Sequence, residues 1–463
     1  MTFRKAAKWS LGFGAALLLL TGGAWLAWLG VANLELRMAE RDIRQAGLPA
    51  SFYTLLPPAI PEGENAAPLL IRIEGLVKAL KATNGFVVSC PGSGAEKTDP
   101  TRFNEARLAE LRRQMEWPEV QEILRLWNQA AAKPAAAFPR DYDAGPAMEL
   151  KGTTGQLDAS RLVGTSAWLK ASDGDPTGAV ADLVACSRAA SFDMNDPLLI
   201  SWLVGVAVDQ LSVHMAQEAL AALPESAFRA EEWQDLREQW AQNASNARGN
   251  LARALDGERT GFGDWIFKKV LQNGYSLGDL VADQLQAISP KSGDVRPFFL
   301  AYQYPLRPLL VADRTAYLRF MLRMRERAEN FSPGEPDENP RDGIPKTAIL
   351  TRLAAGGMEG SLPRLGEYLV QMQLAQLGLS LESFRAKTGS YPNSLEALPL
   401  PPGATTDPFT GKPFAYKADA DNVLVYSFGK DRADDSGNSK WNNSRRDVVW
   451  QVKRAGADKP SPQ

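Results

Sequence analysis

RLGEYLVQMQLAQLGLSLESFRAKTG, residues 364–389, is where the chain declares how its C-terminal part folds. Leu365, Tyr368, Leu369, Met372, Ala375 and Leu379 recur at spacings of three and four and make one apolar stripe of a helix. Leu374, Leu377, Leu381 and Phe384 widen that stripe. After Gly389 the period changes. KPFAYK (412–417), NVLVYSF (422–428) and DVVWQVK (447–453) are short and rich in β-branched and aromatic residues. Turn chemistry such as Asp407-Pro408 and Thr410-Gly411 precedes them. Alternation predicts that Val448, Trp450 and Val452 face the helix while Val449, Gln451 and Lys453 face away. The segment therefore reads as a helix packed on a small antiparallel sheet.

The order of short motifs in this part adds a likeness. TGSYPNSLEAL, TDPFTGKPFAYK, VYSFGKDRADDSG and RDVVW follow one long helix. The set resembles the globular part of type II secretion pseudopilins, specifically the major pseudopilin. The matching residues are Gly389, Tyr391, Pro392, Asp407, Pro408, Gly411, Pro413, Tyr426, Gly429 and Asp431. Phe409 stands where that family has Trp, and Arg432 where it has Gly. The N-terminus lacks the family's Gly-Phe-Thr-Leu-x-Glu signal, so the chain is not expected to polymerise as a pilin. The resemblance implies calcium in the acidic loop, with Asp431, Asp434, Asp435 and Asp447 as ligands. A hard cation takes about six to eight oxygens, and these carboxylates with loop carbonyls can supply them. The competing reading is a solvated loop whose acids are balanced by Lys430, Arg432, Arg445 and Arg446. The loop does not follow the EF-hand pattern.

At the other end, Arg4, Lys5 and Lys8 precede an uncharged run, residues 9–34. About 20 apolar residues cross a bilayer core, and Trp9, Trp25 and Trp28 suit its interfaces. A cleaved signal peptide is the alternative, with Gly30-Val31-Ala32 as its site, although such peptides usually have apolar cores of about 7–15 residues. Arg37, Arg41 and Arg44 follow the run, so basic residues tie at the two ends. A short basic tail before a large domain still favours the tail in the cytoplasm. The expectation is a single-pass inner (cytoplasmic) membrane protein with its bulk on the periplasmic or extracytoplasmic side.

Between these ends the signals are helical. The fold class expected is mainly α: an N-terminal transmembrane helix (1–34), a large irregular helical bundle (35–345) and a small α+β module (346–463). Residues 157–192 read as a helical hairpin of tetratricopeptide type, with Asp175 capping the second helix and Leu162, Trp168, Ala179 and Leu183 packing. No second copy follows at the expected period, which favours a bundle over a repeat array. NFSPGEPDENPRDGIPK, residues 330–346, reads as a linker because it is rich in proline and acids.

Composition limits function. With 44% apolar and 23% charged residues the chain is globular, and a net charge of −2 gives nucleic acid no footprint. One histidine, His214, sits on an apolar helix far from any recognisable nucleophile, which excludes the usual His-based triads. Cys90 and Cys186 either pair outside the cytoplasm or stand as buried thiols. TDPFTGKP ends like a phosphate loop, but Thr406 occupies the first glycine position. The reading is a membrane-anchored envelope protein that binds or scaffolds envelope proteins and is not an enzyme. The alternatives are an accessory part of a type II secretion or pilus-like assembly, and an envelope hydrolase with an unrecognised carboxylate site.

Overall fold

The computed structural model describes residues 3–57, 59–83, 105–272, 305–335, 339–438 and 447–454. Helix α1 (Phe3–Gln45) is one unbroken helix of 43 residues. Leu17, Leu18, Leu19 and Leu20 lie exposed on its first half. Further on, Ala32, Leu36, Ala39 and Ile43, spaced by three and four, turn into the core.

Helices α2 (Ala67–Lys81), α3 (Glu105–Met115) and α4 (Pro118–Ala131) follow, with α2 and α4 paired. Then come α5 (Gln156–Ser172), α6 (Pro176–Asn195) and α7 (Leu199–Ala222), packed on one another. The hairpin is as expected: Asp175 accepts from the Gly178 N–H at 2.9 Å, with Pro176 in the first turn of α6. Helix α8 (Gln234–Gly257) runs through a π-helical turn (Glu258–Gly263) into α9 (Asp264–Gln272). Helix α10 (Arg307–Glu329) lies along α1 and α8, and α11 (Ile349–Met358) rests on α10. The carboxylate of Asp313 on α10 accepts the Leu350 and Thr351 N–H groups at the start of α11, at 2.9 and 3.0 Å.

Helix α12 (Ser361–Thr388) is the amphipathic helix read from the sequence, and it stops at Gly389 with φ +83°. The sheet is small: β1 (Ala415–Ala418), β2 (Asn422–Ser427) and β3 (Val448–Lys453), antiparallel in that order. Val425 stands opposite Trp450 and Val423 opposite Val452. Trp450 and Val452 are buried and Lys453 is exposed, as alternation predicts. The chain is thus mainly helical, with one three-stranded sheet near its C-terminus and a long apolar helix at its N-terminus.

One difference concerns the breadth of burial on α12. Leu362, Val370, Gly378 and Glu382 are buried beside the expected stripe. The cause is its position, because α7 and α8 cover one side and β3 the other. The expected boundary near residue 345 is crossed by one apolar core that holds Trp240 of α8, Tyr368 of α12 and Trp450 of β3 together. The Trp240 and Trp450 rings meet edge-on with centroids 6.4 Å apart. A second apolar cluster joins α2, α4, α5 and α6 through Ile73, Trp127, Leu162 and Phe192.

The proline-rich segment read as a linker is mostly exposed where it is described, but it is tied to the body at a few points. The Phe331 carbonyl accepts from Arg248 at 2.7 Å, the Gly334 carbonyl accepts from Arg432 at 2.9 Å, and Ile344 is buried. Acidic, proline-rich chain looks solvated in sequence, yet its carbonyls serve arginines from both sides.

Trp450 lies so close to α12 that a Cβ at Gly378 would stand 2.1 Å from the indole. Gly→Ala inside a helix normally gains about 1 kcal/mol, but overpacking costs roughly 1–3 kcal/mol. Here the fused ring is pinned between α12 and Trp240, so overpacking should win. We expect Gly378→Ala to lower the free energy of urea unfolding by about 1–3 kcal/mol. A variant at least as stable as the wild type would show that the ring yields.

Candidate functional site

The acidic loop follows β2 and returns to β3. Asp447, at the base of β3, is almost fully buried. Its Oδ2 accepts the Gly437 N–H at 2.7 Å and its Oδ1 the Asp435 N–H at 3.4 Å. Burial pushes the Asp447 carboxyl up, those N–H groups oppose it, and the charges of Asp435 and Asp434 push it further up. Asp434 Oδ1 accepts from the Tyr426 hydroxyl at 3.0 Å and from the Ser436 N–H at 2.8 Å. Asp435 Oδ2 is buried with no hydrogen-bond partner among the described residues. Asp431 stands apart, exposed, its Oδ1 accepting the Ala433 N–H at 3.2 Å. The structure therefore brings Asp434 and Asp435 electrostatically to bear on Asp447 but leaves Asp431 outside. Among the described residues no three acidic, histidine or cysteine side chains form a metal-holding group. Arg445 and Arg446 lie outside the described residues, while Lys430 and Arg432 are exposed beside Asp431. As a test of calcium, the bare Asp435 oxygen beside a buried, charge-strained Asp447 fits a cation. The backbone-satisfied Asp447 and the remote Asp431 supply less than the full set expected.

The other motif residues hold the module together. Asp407 is buried, and its carboxylate accepts from the Phe409 and Phe428 N–H groups and from the hydroxyls of Thr410 and Ser427, the last at 2.7 Å. TDPFTGKP is thus a turn clamped to the end of β2. Tyr391 donates to Glu382 of α12 at 2.7 Å, and Arg454, just after β3, donates to both. These partners, Ser427, Glu382 and Arg454, were not picked out in the sequence.

A groove of about 300 Å³ opens where α8 meets α12. Trp233, Leu379, Phe384 and Leu398 give it an apolar lining, and Arg237 and Lys387 add two cations. Neither cation has an ion-pair partner among the described residues. Ser380 and Ser383 donate back to their own helix, to the Gln376 and Leu379 carbonyls, so their hydroxyl protons do not serve the groove. Its chemistry suits an apolar segment carrying negative charge.

A third cluster is sealed inside the bundle. Arg140 donates to Asp196 at 3.0 Å and to Thr153 at 2.7 Å, and Thr153 donates to Asp193 at 3.2 Å. Burial and the Asp196 charge push the Asp193 carboxyl well up. The Arg140 and Asp196 side chains are 0% and 5% accessible, so the pair acts as an internal clamp. His214 lies 3.9 Å from Glu218, one turn along α7. Cys186 is buried with its Sγ 3.9 Å from the Ser160 carbonyl, and Cys90, with the pairing it would make, lies outside the described residues.

Glu258 opens the π-helical turn and accepts the Leu199 N–H, which starts α7, at 3.2 Å. Burial raises its carboxyl to about 7. An acid raised in the folded state holds its proton there while the unfolded chain has released it. Stability is therefore greatest below about pH 4.5 for this group and is lost as pH rises to about 7. Glu258→Gln keeps the acceptor and removes the titration. We expect the variant to gain about 1–3 kcal/mol relative to the wild type between pH 5 and pH 8 in urea unfolding. Parallel pH profiles would place the titration elsewhere.

No family model matches this chain, and neither the curated proteins nor the solved structures contain a match to it.

Proposed function

We propose that this chain is an envelope protein anchored in the cytoplasmic membrane by α1, which works by binding or scaffolding other envelope proteins. Its bulk lies on the periplasmic or extracytoplasmic side. The observation that carries the binding role is the groove between α8 and α12, with its apolar lining and with Arg237 and Lys387, which have no ion-pair partner among the described residues. An acidic amphipathic segment of a partner protein fits that chemistry. Support for the anchor comes from α1, whose first half is apolar and exposed while its second half joins the core. Helix α7 is also long and apolar enough to cross a membrane, but it is buried among α5, α6 and α8, as a core helix is.

The C-terminal helix and sheet follow the order seen in major pseudopilins, which supports the narrower reading of an accessory component in a type II secretion or pilus-like assembly. Full-length protein extracted in detergent should then bring a defined partner with it. Arg237→Glu with Lys387→Glu should reduce that partner at least tenfold without lowering the melting midpoint. A chain that always elutes alone, or a partner retained by the double variant, would remove the groove from the proposal. A pseudopilin as the partner would decide for the secretion assembly.

The acidic loop is proposed to take calcium through Asp435 and Asp447, with Asp434 nearby and Asp431 contributing through water. Occupancy would offset the repulsion that Asp434 and Asp435 exert on Asp447. Binding to the folded state alone adds about 2.7 kcal/mol at a hundredfold excess over Kd. Millimolar calcium should raise the melting midpoint of the full chain by several degrees over chelator, and Asp435→Asn with Asp447→Asn should abolish the shift. Equal midpoints in calcium and chelator would leave a solvated loop.

A further inference from the structure

Trp25 is inside the uncharged run of α1, yet its indole Nε1 donates to the carbonyl of Pro305 at 2.9 Å. Pro305 lies just before α10, and the following residues are Leu306, exposed at 41%, and Arg307. Farther along, Glu40 of α1 pairs with Arg314 of α10 at 3.1 Å. The two contacts follow the same order on both helices, so α1 and α10 run parallel, and the start of α10 is level with Trp25.

Helical rise gives the depth of that level. From Lys8, the last charge before the run, to Trp25 is a climb of roughly 26 Å, less if the helix tilts, against a hydrocarbon core of about 30 Å. With Lys8 at one interface, Trp25 and the Pro305 corner reach the inner edge of the other. Irregular backbone at such a depth must have its polar groups satisfied. Pro305 has no N–H, and its carbonyl is taken by Trp25. Pro308, in the first turn of α10, removes one more of the donors that a helix start leaves unpaired. Leu306 then projects where acyl chains begin. Arg307 has no ion-pair partner among the described residues, and its length suits lipid phosphate.

We infer that the globular body does not hang free of its anchor but sits on the bilayer, with Leu306 in the acyl boundary and Arg307 among the phosphates, fastened to α1 by the Trp25 bond. The inference rests on the reading of α1 as a membrane anchor and adds a second point of membrane contact to it. It commits to lipid as the occupant because the corner is continuous with the anchoring helix. A protein covering the corner is the other outcome.

The test uses the full chain in phosphatidylethanolamine–phosphatidylglycerol vesicles, with Cys90→Ser and Cys186→Ala as background. Spin labels are placed singly at Leu18→Cys on α1, Leu306→Cys, and Ser245→Cys on the exposed face of α8. Circular dichroism and melting midpoints matching the wild type admit each variant. The Leu306 label should collide several-fold more often with oxygen than with a water-soluble nickel chelate, as the Leu18 label does, while the Ser245 label shows the reverse. Leu18 in lipid with Leu306 in water would keep the anchor and overturn the seating, including the case where a protein covers the corner. Leu18 in water would overturn both.

Discussion

The carboxylate of Asp209 ties together four helices. It lies at the centre of α7, with no accessible surface. It accepts from Ser187 on α6 at 2.6 Å, from Ser212 on α7, from Asn243 on α8 at 3.0 Å and from Tyr368 on α12 at 2.8 Å. Burial raises its carboxyl and the four donors act against that rise. A charge in this position is tolerated only when its hydrogen bonds are complete, which fixes the relative rotation of all four helices. Trp240 extends the network by donating to Ser212 at 2.9 Å. The same helix binds the sheet, since the Gln217 side chain accepts the Gln451 N–H at 2.7 Å. The C-terminal helix and sheet are therefore built onto the bundle by polar bonds as well as by the shared apolar core.

That network also separates two helices of similar apolarity. Helix α7 buries Ser201, Asp209, Ser212 and Gln217, each with a partner, so it belongs inside the protein. The first half of α1 has Thr21 as its polar side chain among the described exposed residues, and that hydroxyl bonds back to the Leu17 carbonyl. Such a surface suits lipid. Where α1 meets α10, Ala32 and Ala39 allow close approach while Leu36 and Ile43 fill the seam. Burying the latter two is worth about 1.5–3 kcal/mol each, so α1 and the body share a core and stand in a set orientation.

Much of the helix and strand content was legible because it depends on period. The stripe of α12, the alternation of β3 and the Asp175 cap are local patterns, and the structure places them as read. The interior acids were not legible. Nothing near Asp193, Asp196 or Glu258 distinguishes them from the exposed acids on neighbouring helices. Their burial depends on Arg140, 56 residues from Asp196, and on Leu199, 59 residues from Glu258. The acidic loop was half legible: four aspartates gather in sequence, but Asp431 turns into its own backbone while Asp447 is buried under its neighbours.

The sequence by itself determined where the chain is helical, where it turns to strands, and that its first helix is uncharged over a membrane's width. Those properties follow from side-chain spacing and from hydropathy summed over neighbouring residues. Only the tertiary structure decided that the Phe331 carbonyl is held by Arg248, that Arg237 and Lys387 flank one groove, and that Trp25 holds the carbonyl before α10. Each of these depends on which groups lose water together. Desolvation is set by residues far apart in the chain, so no local pattern can report it.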